Sequence, residues 1–428
     1  MKTVDASAQT SGTFFGTFDA ERFWQKSDRS ALPEAAARPT ASALASADEL
    51  LIMLSTPGDA VLCSREPTPG LLDRLAVYGS CGSVRGVPGD ADVCVEERIA
   101  GLAGQLSTPG NRARPYAVIP ATARAIQALG IAEHSPPAEA AATVNSKVWS
   151  NAFSVRHGLP GAATVVRSSA ELEAAAAGIE GPVVLKSAHG VAGRGSLLVH
   201  ERRVLTSIGA RLDNADTALL VQPYLVRTAD FSAHLDVDAC GTTRLVGLRG
   251  MTCQGLAFSS SDTLDESLAQ RLRSDPDYTA TLWQLGVELA EAGYFGPVSV
   301  DGLVTRDGTL VPVLEVNARL SMGRAGLELD RRAPGLCSSL GSFNAPVAEG
   351  TKYEDLDARL DTAVRDADLA WEGGSRAGVV LLTGATLQPP TGRIYWAAHA
   401  GSPEKIELLV QGLRAALTSA GFPCQVTR

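Results

Sequence analysis

Short apolar runs broken by glycine and proline alternate with stretches of helical spacing along most of this chain. Residues 50–53 (Leu-Leu-Ile-Met) and 60–63 (Ala-Val-Leu-Cys) read as strands, the first running into Ser-Thr-Pro-Gly. Residues 70–78 have helical spacing, and 116–119 (Tyr-Ala-Val-Ile) predict another strand before a helix over 121–129. This alternation describes a small α/β unit ending near Pro137. Farther on, 182–186 reads as a buried strand, 187–195 as a glycine-rich stretch, and 197–200 and 218–222 as strands. Residues 231–238 and 244–247 flank Cys240-Gly241 as a hairpin, and 264–292 are helical. Residues 296–317 read as strand, turn at Arg306-Asp307-Gly308, strand; 378–382 and 393–398 add two more. The last helix is marked by Ser402 as N-cap, Pro403 in the first turn, an apolar stripe from Ile406 to Leu417, and Gly421 as a stop.

Residues 1–45 differ. They are rich in Ser, Thr and Ala and weakly periodic, which predicts an irregular arm. The chain therefore divides into an arm (1–45), an α/β domain (46–140), a central domain (141–345) and a C-terminal α/β segment (346–428). The class is mixed α/β (α+β), without an internal repeat.

Composition supports folded domains. The 428 residues are 45% hydrophobic and 20% charged, enough apolar material for several cores. The net charge of −9 argues against a generally basic nucleic-acid surface but allows a local basic pocket for an anion. The seven cysteines are scattered and form no Cys-x-x-Cys pair, so neither a disulfide framework nor a zinc site is expected. The first 45 residues lack the pattern of a secretory signal, and no apolar run approaches the roughly 20 residues needed to cross a bilayer. A soluble cytoplasmic protein is the expectation. Lysine is scarce: only Lys2, Lys26, Lys147, Lys186, Lys352 and Lys405 occur, so each internal one calls for a reason.

Three signals carry chemistry. The first is Lys186 at the end of a strand, followed by Gly190, Gly193 and Gly195. Glycines let backbone N–H groups approach phosphate oxygens, and the lysine adds charge. The order differs from a P-loop, where the lysine follows the last glycine, and from a dinucleotide fingerprint. An ordinary flexible hairpin loop is the competing reading. The second signal is Asp301, then Glu315, Asn317 and Arg319 on the next strand. Two carboxylates and an amide supply hard oxygens for Mg²⁺. A two-residue turn would set Asp301 opposite Leu314; a three-residue loop with a left-handed glycine is expected to pair it with Glu315. A half-exposed sheet with solvated carboxylates competes, against the apolar Val298, Val300, Val311, Val313 and Leu314. The third signal, Gln222-Pro223-Tyr224-Leu225 with Asp230 soon after, is by itself a strand entering a turn. His189, His234, Cys253 and Arg249 are weaker candidates. A solvated loop histidine, a satisfied sheet histidine, an inert thiol and an exposed arginine compete with roles at phosphate or substrate.

In this order and spacing the three signals resemble the ATP-grasp superfamily, over about residues 141–330 with a pre-ATP-grasp α/β domain before them. The resemblance implies that Lys147, Lys186 and the glycine loop position the phosphates of ATP. It further implies that Gln222, Tyr224 and Leu225 form the adenine hinge and that Asp230 holds the ribose. Asp301, Glu315 and Asn317 would hold Mg²⁺, and Arg319 and Lys186 would act at the reacting centre. Gln222 stands where many members carry Glu; its carbonyl still accepts from the adenine amino group. Ser299 replaces the arginine of D-alanine–D-alanine ligases, against that activity. The residues after Arg319 depart from the pattern of biotin-dependent carboxylases. The hairpin at 231–238 and the C-terminal segment look more like the pheganomycin-type peptide ligases of actinobacterial natural-product biosynthesis. The expectation is an ATP-dependent carboxylate–amine ligase acting through an acyl phosphate, with a small-molecule carboxylate and an amine or peptide acceptor. Neither nucleic acid nor membrane is an expected partner, and a homodimer is admitted. Loading of a carrier-protein thiol and a non-catalytic nucleotide-binding regulator are the alternatives.

Overall fold

The computed structural model describes residues 11–24, 31–32, 40–79, 81–102, 104–132, 135–189, 195–215, 217–374 and 376–426. Three sheets organise them. The first is parallel, with β1 (Gly12–Phe15), β2 (Ala60–Cys63), β3 (Ser83–Gly86) and β4 (Arg112–Pro115) in the order β3-β2-β1-β4. Both faces are covered, because side chains alternate. Phe14, Val61 and Cys63 join one core, while Phe15 and Leu62 pack with Ile99 and Ile126 in another.

Several expectations need correction here. The arm at 1–45 is not irregular throughout: Gly12–Phe15 is an inner strand of this sheet, four residues being too short for a period to show. Residues 50–53 are not a strand but part of a 3-10 helix, Ser46–Leu54. All four side chains are buried, and a short apolar run cannot distinguish buried helix from buried strand. Residues 116–119 lie just past β4 in a bend followed by irregular chain.

The second sheet is antiparallel, with β5 (Thr164–Val166), β6 (Val183–Ser187), β7 (Ser196–Val199) and β8 (Leu219–Pro223) in the order β5-β8-β6-β7. Leu172 and Ala176 of one helix and Leu205, Ile208 and Leu212 of another back it. The third sheet is the largest. It contains β9 (Arg227–Val237), β10 (Thr243–Gln254), β11 (Ala257–Asp262), β12 (Gly296–Thr305), β13 (Leu310–Asn317), β14 (Cys337–Pro346), β15 (Gly378–Leu381), β16 (Thr391–Ala400) and β17 (Gln425–Val426). Their order is β13-β12-β9-β10-β11-β14-β16-β15, with β17 on β14, and every pairing is antiparallel.

The helical stretch at 264–292 is two helices, Glu266–Ser274 and Pro276–Glu291. Pro276 has no N–H to continue the first, and the Asp275 carboxylate accepts from the N–H groups of Asp277 and Tyr278 to start the second. The C-terminal segment does not stand apart, because β14, β16 and β15 extend the sheet begun by β9–β13. Among the described residues no helix is long and apolar enough to cross a membrane.

Candidate active site

The β12–β13 hairpin sets the acidic centre. Its loop is three residues, 306–308, closed by the Thr305 N–H to Thr309 O bond of 3.0 Å, with Gly308 at φ +86°. That loop pairs Leu303 with Val311 and, continued, would put Asp301 opposite Val313. Instead the register shifts, and Asp301 pairs with Glu315 and Ser299 with Asn317. The expected pairing thus exists, but a bulge, not the loop, produces it. Pro312 lies in the shifted stretch, and a proline has no N–H to give to a ladder.

The helix Lys147–Arg156 docks on the strand just past this bulge. Ser150 Oγ accepts from Val316 N–H (3.1 Å), Asn145 Oδ1 from Ala318 N–H (2.9 Å), and Ser154 Oγ donates to Val313 O (3.2 Å). This docking brings Lys147 Nζ to 2.5 Å from Glu315 Oε1. The Lys147 N–H also donates to Ala188 O at 2.7 Å, tying the helix to the stem of the β6–β7 loop. Gly195 closes that stem: its φ is +79°, and its carbonyl accepts from Ser187 N–H at 2.7 Å. Gly190 and Gly193 lie outside the described residues.

Lys186, Gln222, Tyr224, Leu225, Asp230, Asp301, Glu315, Asn317 and Arg319 line one cleft together with Lys147, with a cavity volume of about 210 Å³. Gly195 is not among the lining residues, though Ser196 is. Burial lowers the Lys186 ammonium to about 8, with Lys147 and Arg227 pushing the same way and Glu315 opposing. Burial, followed by the charge of Glu315, raises the Asp301 carboxyl to about 7. Asp230 is also raised by burial, against the pull of Arg227, whose Nε is 2.7 Å away.

Asn317 Nδ2 donates to Asp301 Oδ2, and Asn317 Oδ1 accepts from Arg319, each at 3.1 Å. The donor chemistry fits a hard divalent cation: two facing carboxylates disfavour their own ionisation, and the amide oxygen keeps a second lone pair. Among the described residues no group of three or more His, Cys, Asp or Glu is placed to hold a metal, so such an ion needs further oxygens from its ligand.

Arg319 is buried. Its guanidinium lies 5.7 Å from the centre of the Tyr116 ring and 3.1 Å from Glu21 Oε1, while its Nε has no partner among the described residues. Glu21, Tyr116, Arg227 and Ser232 are features of the site that sequence reasoning missed. Arg227, three residues before Asp230, was within reach of inspection. The Glu21 contact spans 298 residues and leaves no local signal. Arg249 is not available to a ligand: it is fully buried and bound to Ser261, Thr263, Ser338 and Asp330.

Residues 150–328 match a family model described as the carbamoyl-phosphate synthase L chain, ATP binding domain. No curated protein matches the sequence. The fold is similar to that of an ADP complex of purK, N5-carboxyaminoimidazole ribonucleotide synthetase: TM-score 0.54 at 13% identity, over 96% of this chain and 98% of that one. It is also similar to biotin carboxylase from Campylobacter jejuni, with TM-score 0.52 and 13% identity over 89% of each chain. For an L-amino acid ligase from Bacillus licheniformis the TM-score is 0.50 at 12% identity, over 86% of this chain and 98% of that one. At such identities the likeness speaks for architecture, and the architecture of this chain is the ATP-grasp fold.

Proposed function

We propose that this protein is an ATP-dependent carboxylate–amine ligase, with ATP and Mg²⁺ as its cofactors. It would join the carboxylate of an amino acid or similar acid to the amine of an amino acid or peptide. The carrying observation is the meeting of Lys147 and Lys186 with Asp301 and Glu315 in one cleft whose other residues include Gln222 and Asp230. Lysines beside paired carboxylates suit a polyphosphate carrying a divalent cation, because each charge offsets its neighbour.

In this reading Lys147 and Lys186 position the outer phosphates, while Gln222, Tyr224 and Leu225 hold adenine. Asp230 faces the ribose after yielding part of its contact with Arg227. Asp301, Glu315 and Asn317 would hold Mg²⁺, which would supply neutralisation of phosphate charge. The substrate carboxylate takes the γ-phosphoryl group, giving an acyl phosphate and ADP. The amine then attacks the acyl carbon, loses a proton and expels phosphate. Arg319 offsets charge at the reacting oxygens. The peptide-ligase reading, with pheganomycin-type chemistry as its nearest resemblance, extends this proposal to the acceptor.

A nucleophile screen tests it. ATP and Mg²⁺ are supplied with paired amino acids, short peptides or carrier proteins, and phosphate release and product mass are followed. Phosphate release that needs both acid and amine, with a product lighter than their sum by one water, is expected. Turnover only with a carrier-protein thiol would replace amide formation by thioester loading; no nucleotide turnover with any pair would contradict the reading.

A further inference from the structure

Beneath the cleft, next to the acidic centre, lies a polar chain with no role so far. Ser232 on β9 pairs directly with Asp301 on β12, is 2% exposed, and lines the cleft. Its Oγ is 2.9 Å from His234 Nε2, and the other ring nitrogen, Nδ1, is 3.4 Å from Ser321 Oγ. Ser321 caps the helix Met322–Arg332, accepting from Arg324 N–H at 3.3 Å. Gly323 in the first turn of that helix lies so close that a Cβ would stand 2.4 Å from His234 Nε2 and 3.3 Å from Ser232 Oγ. Ser321, Gly323 and Arg319, whose Nε has no partner among the described residues, also line the cleft.

The cap is compatible with one set of directions that ends at the cleft. Because the Ser321 oxygen accepts from a backbone N–H, its own proton is free for Nδ1 of His234. With Ser321 donating to Nδ1 the ring is the Nε2–H tautomer, which donates to Ser232 and leaves the Ser232 proton for an acceptor in the cleft. Burial, with the guanidinium groups of Arg324 and Arg249 acting in the same direction, holds His234 at about 3, so the ring stays neutral.

We infer that Ser232 donates its hydroxyl proton to the carboxylate of the acid substrate, beside Arg319 and the start of the Met322–Arg332 helix, with His234 as the positioning residue that sets its direction. This inference rests on the ligase reading. The carboxylate is favoured over the γ-phosphate because Ser232 and His234 lie against Gly323 in the first turn of that helix, whereas Lys147 is paired with Glu315.

Two measurements on the full chain test it. Nitrogen-15 NMR of the His234 ring, assigned by loss of its signal in His234→Gln, should show a neutral ring protonated on Nε2 between pH 6 and 8. Protonation on Nδ1 would overturn the relay whether or not the chain is a ligase. Ser232→Ala should raise KM for the acid about ten- to a hundredfold while leaving KM for ATP unchanged. Ser232→Cys, of similar size but a poorer donor, should behave alike. Adding His234→Gln to Ser232→Ala should cost nothing further. An unchanged KM for the acid, or an equal rise for ATP, would overturn the role of Ser232. If the parent chain turns over no ATP with any acid, the ligase reading fails and takes the substrate role of Ser232 with it, and the NMR result alone decides the relay.

Discussion

Lys186 and Asp301 face the same small space, one with its ammonium weakened and the other with its carboxyl held partly protonated. Each is destabilised by burial, and each is relieved by a ligand bearing the opposite charge. Lys186→Met should therefore weaken binding of a non-hydrolysable ATP analogue by about ten- to a hundredfold, as loss of a charge-assisted bond does. Calorimetric titration checks it. The sign of the pH effect follows from the ammonium at about 8. Affinity in the parent should hold below pH 8 and fall above it as the charge is lost, while Lys186→Arg stays flat to pH 9. Glu315→Gln should leave the fold intact and lower turnover by about a hundredfold or more, since a proposed metal ligand loses its charge and the ion pair with Lys147 is lost with it. Residue type and order singled out Lys186, Asp301 and Glu315 before any coordinates, and the resemblance added Lys147; all four line one cleft. Glu21 was not, because its partner Arg319 is distant in sequence and the helix holding it is one turn long.

The β12–β13 hairpin is the element on which the site depends. Its strands and turn were legible from apolar runs around Arg306-Asp307-Gly308, but the bulge was not, because register is a property of two strands together. Gly302 sits at this shift with little room: a Cβ there would stand 2.6 Å from the Phe231 ring and 2.9 Å from Val311 O. Gly302→Ala should lower stability by about 2 kcal/mol through overpacking and should perturb the Asp301–Glu315 pairing as well. Thermal unfolding and analogue binding, measured on the same variant, check both parts. The 3-10 helix Ser46–Leu54 shows the opposite difficulty. Four apolar residues in a row satisfy either a buried strand or a buried helix, and only packing decided between them.

Across the whole molecule, buried carboxylates join the first sheet to the C-terminal segment. Glu49 Oε2 accepts from the N–H groups of Gly384 (2.9 Å) and Ala385 (3.0 Å), and Asp48 accepts from Ser64 N–H at 2.5 Å. Burial pushes both carboxyls up to about 8. In the unfolded chain they ionise near 4, so between about pH 4 and 8 the folded state keeps protons that the unfolded state has released. Stability should consequently fall as pH rises through that window, and the midpoint of thermal unfolding should be higher at pH 5.5 than at pH 8.5. Asp48→Asn, which keeps an acceptor without a titration, should flatten part of this slope. No sequence pattern announced these groups, since acidic residues are ordinarily taken as surface.

The central claim is that this fold transfers the γ-phosphoryl group of ATP to a carboxylate. The nucleotide product tests it most directly. Lys147, Lys186, Asp301 and Glu315 line one cleft, and in the proposed reading they hold the outer phosphates, which favours breaking the β–γ bond. Incubation with ATP, Mg²⁺, an amino acid and a peptide amine, followed by chromatography of the nucleotides, should give ADP and phosphate only when acid and amine are both present. Substrate-dependent AMP with pyrophosphate would mean cleavage of the α–β bond and would contradict the claim.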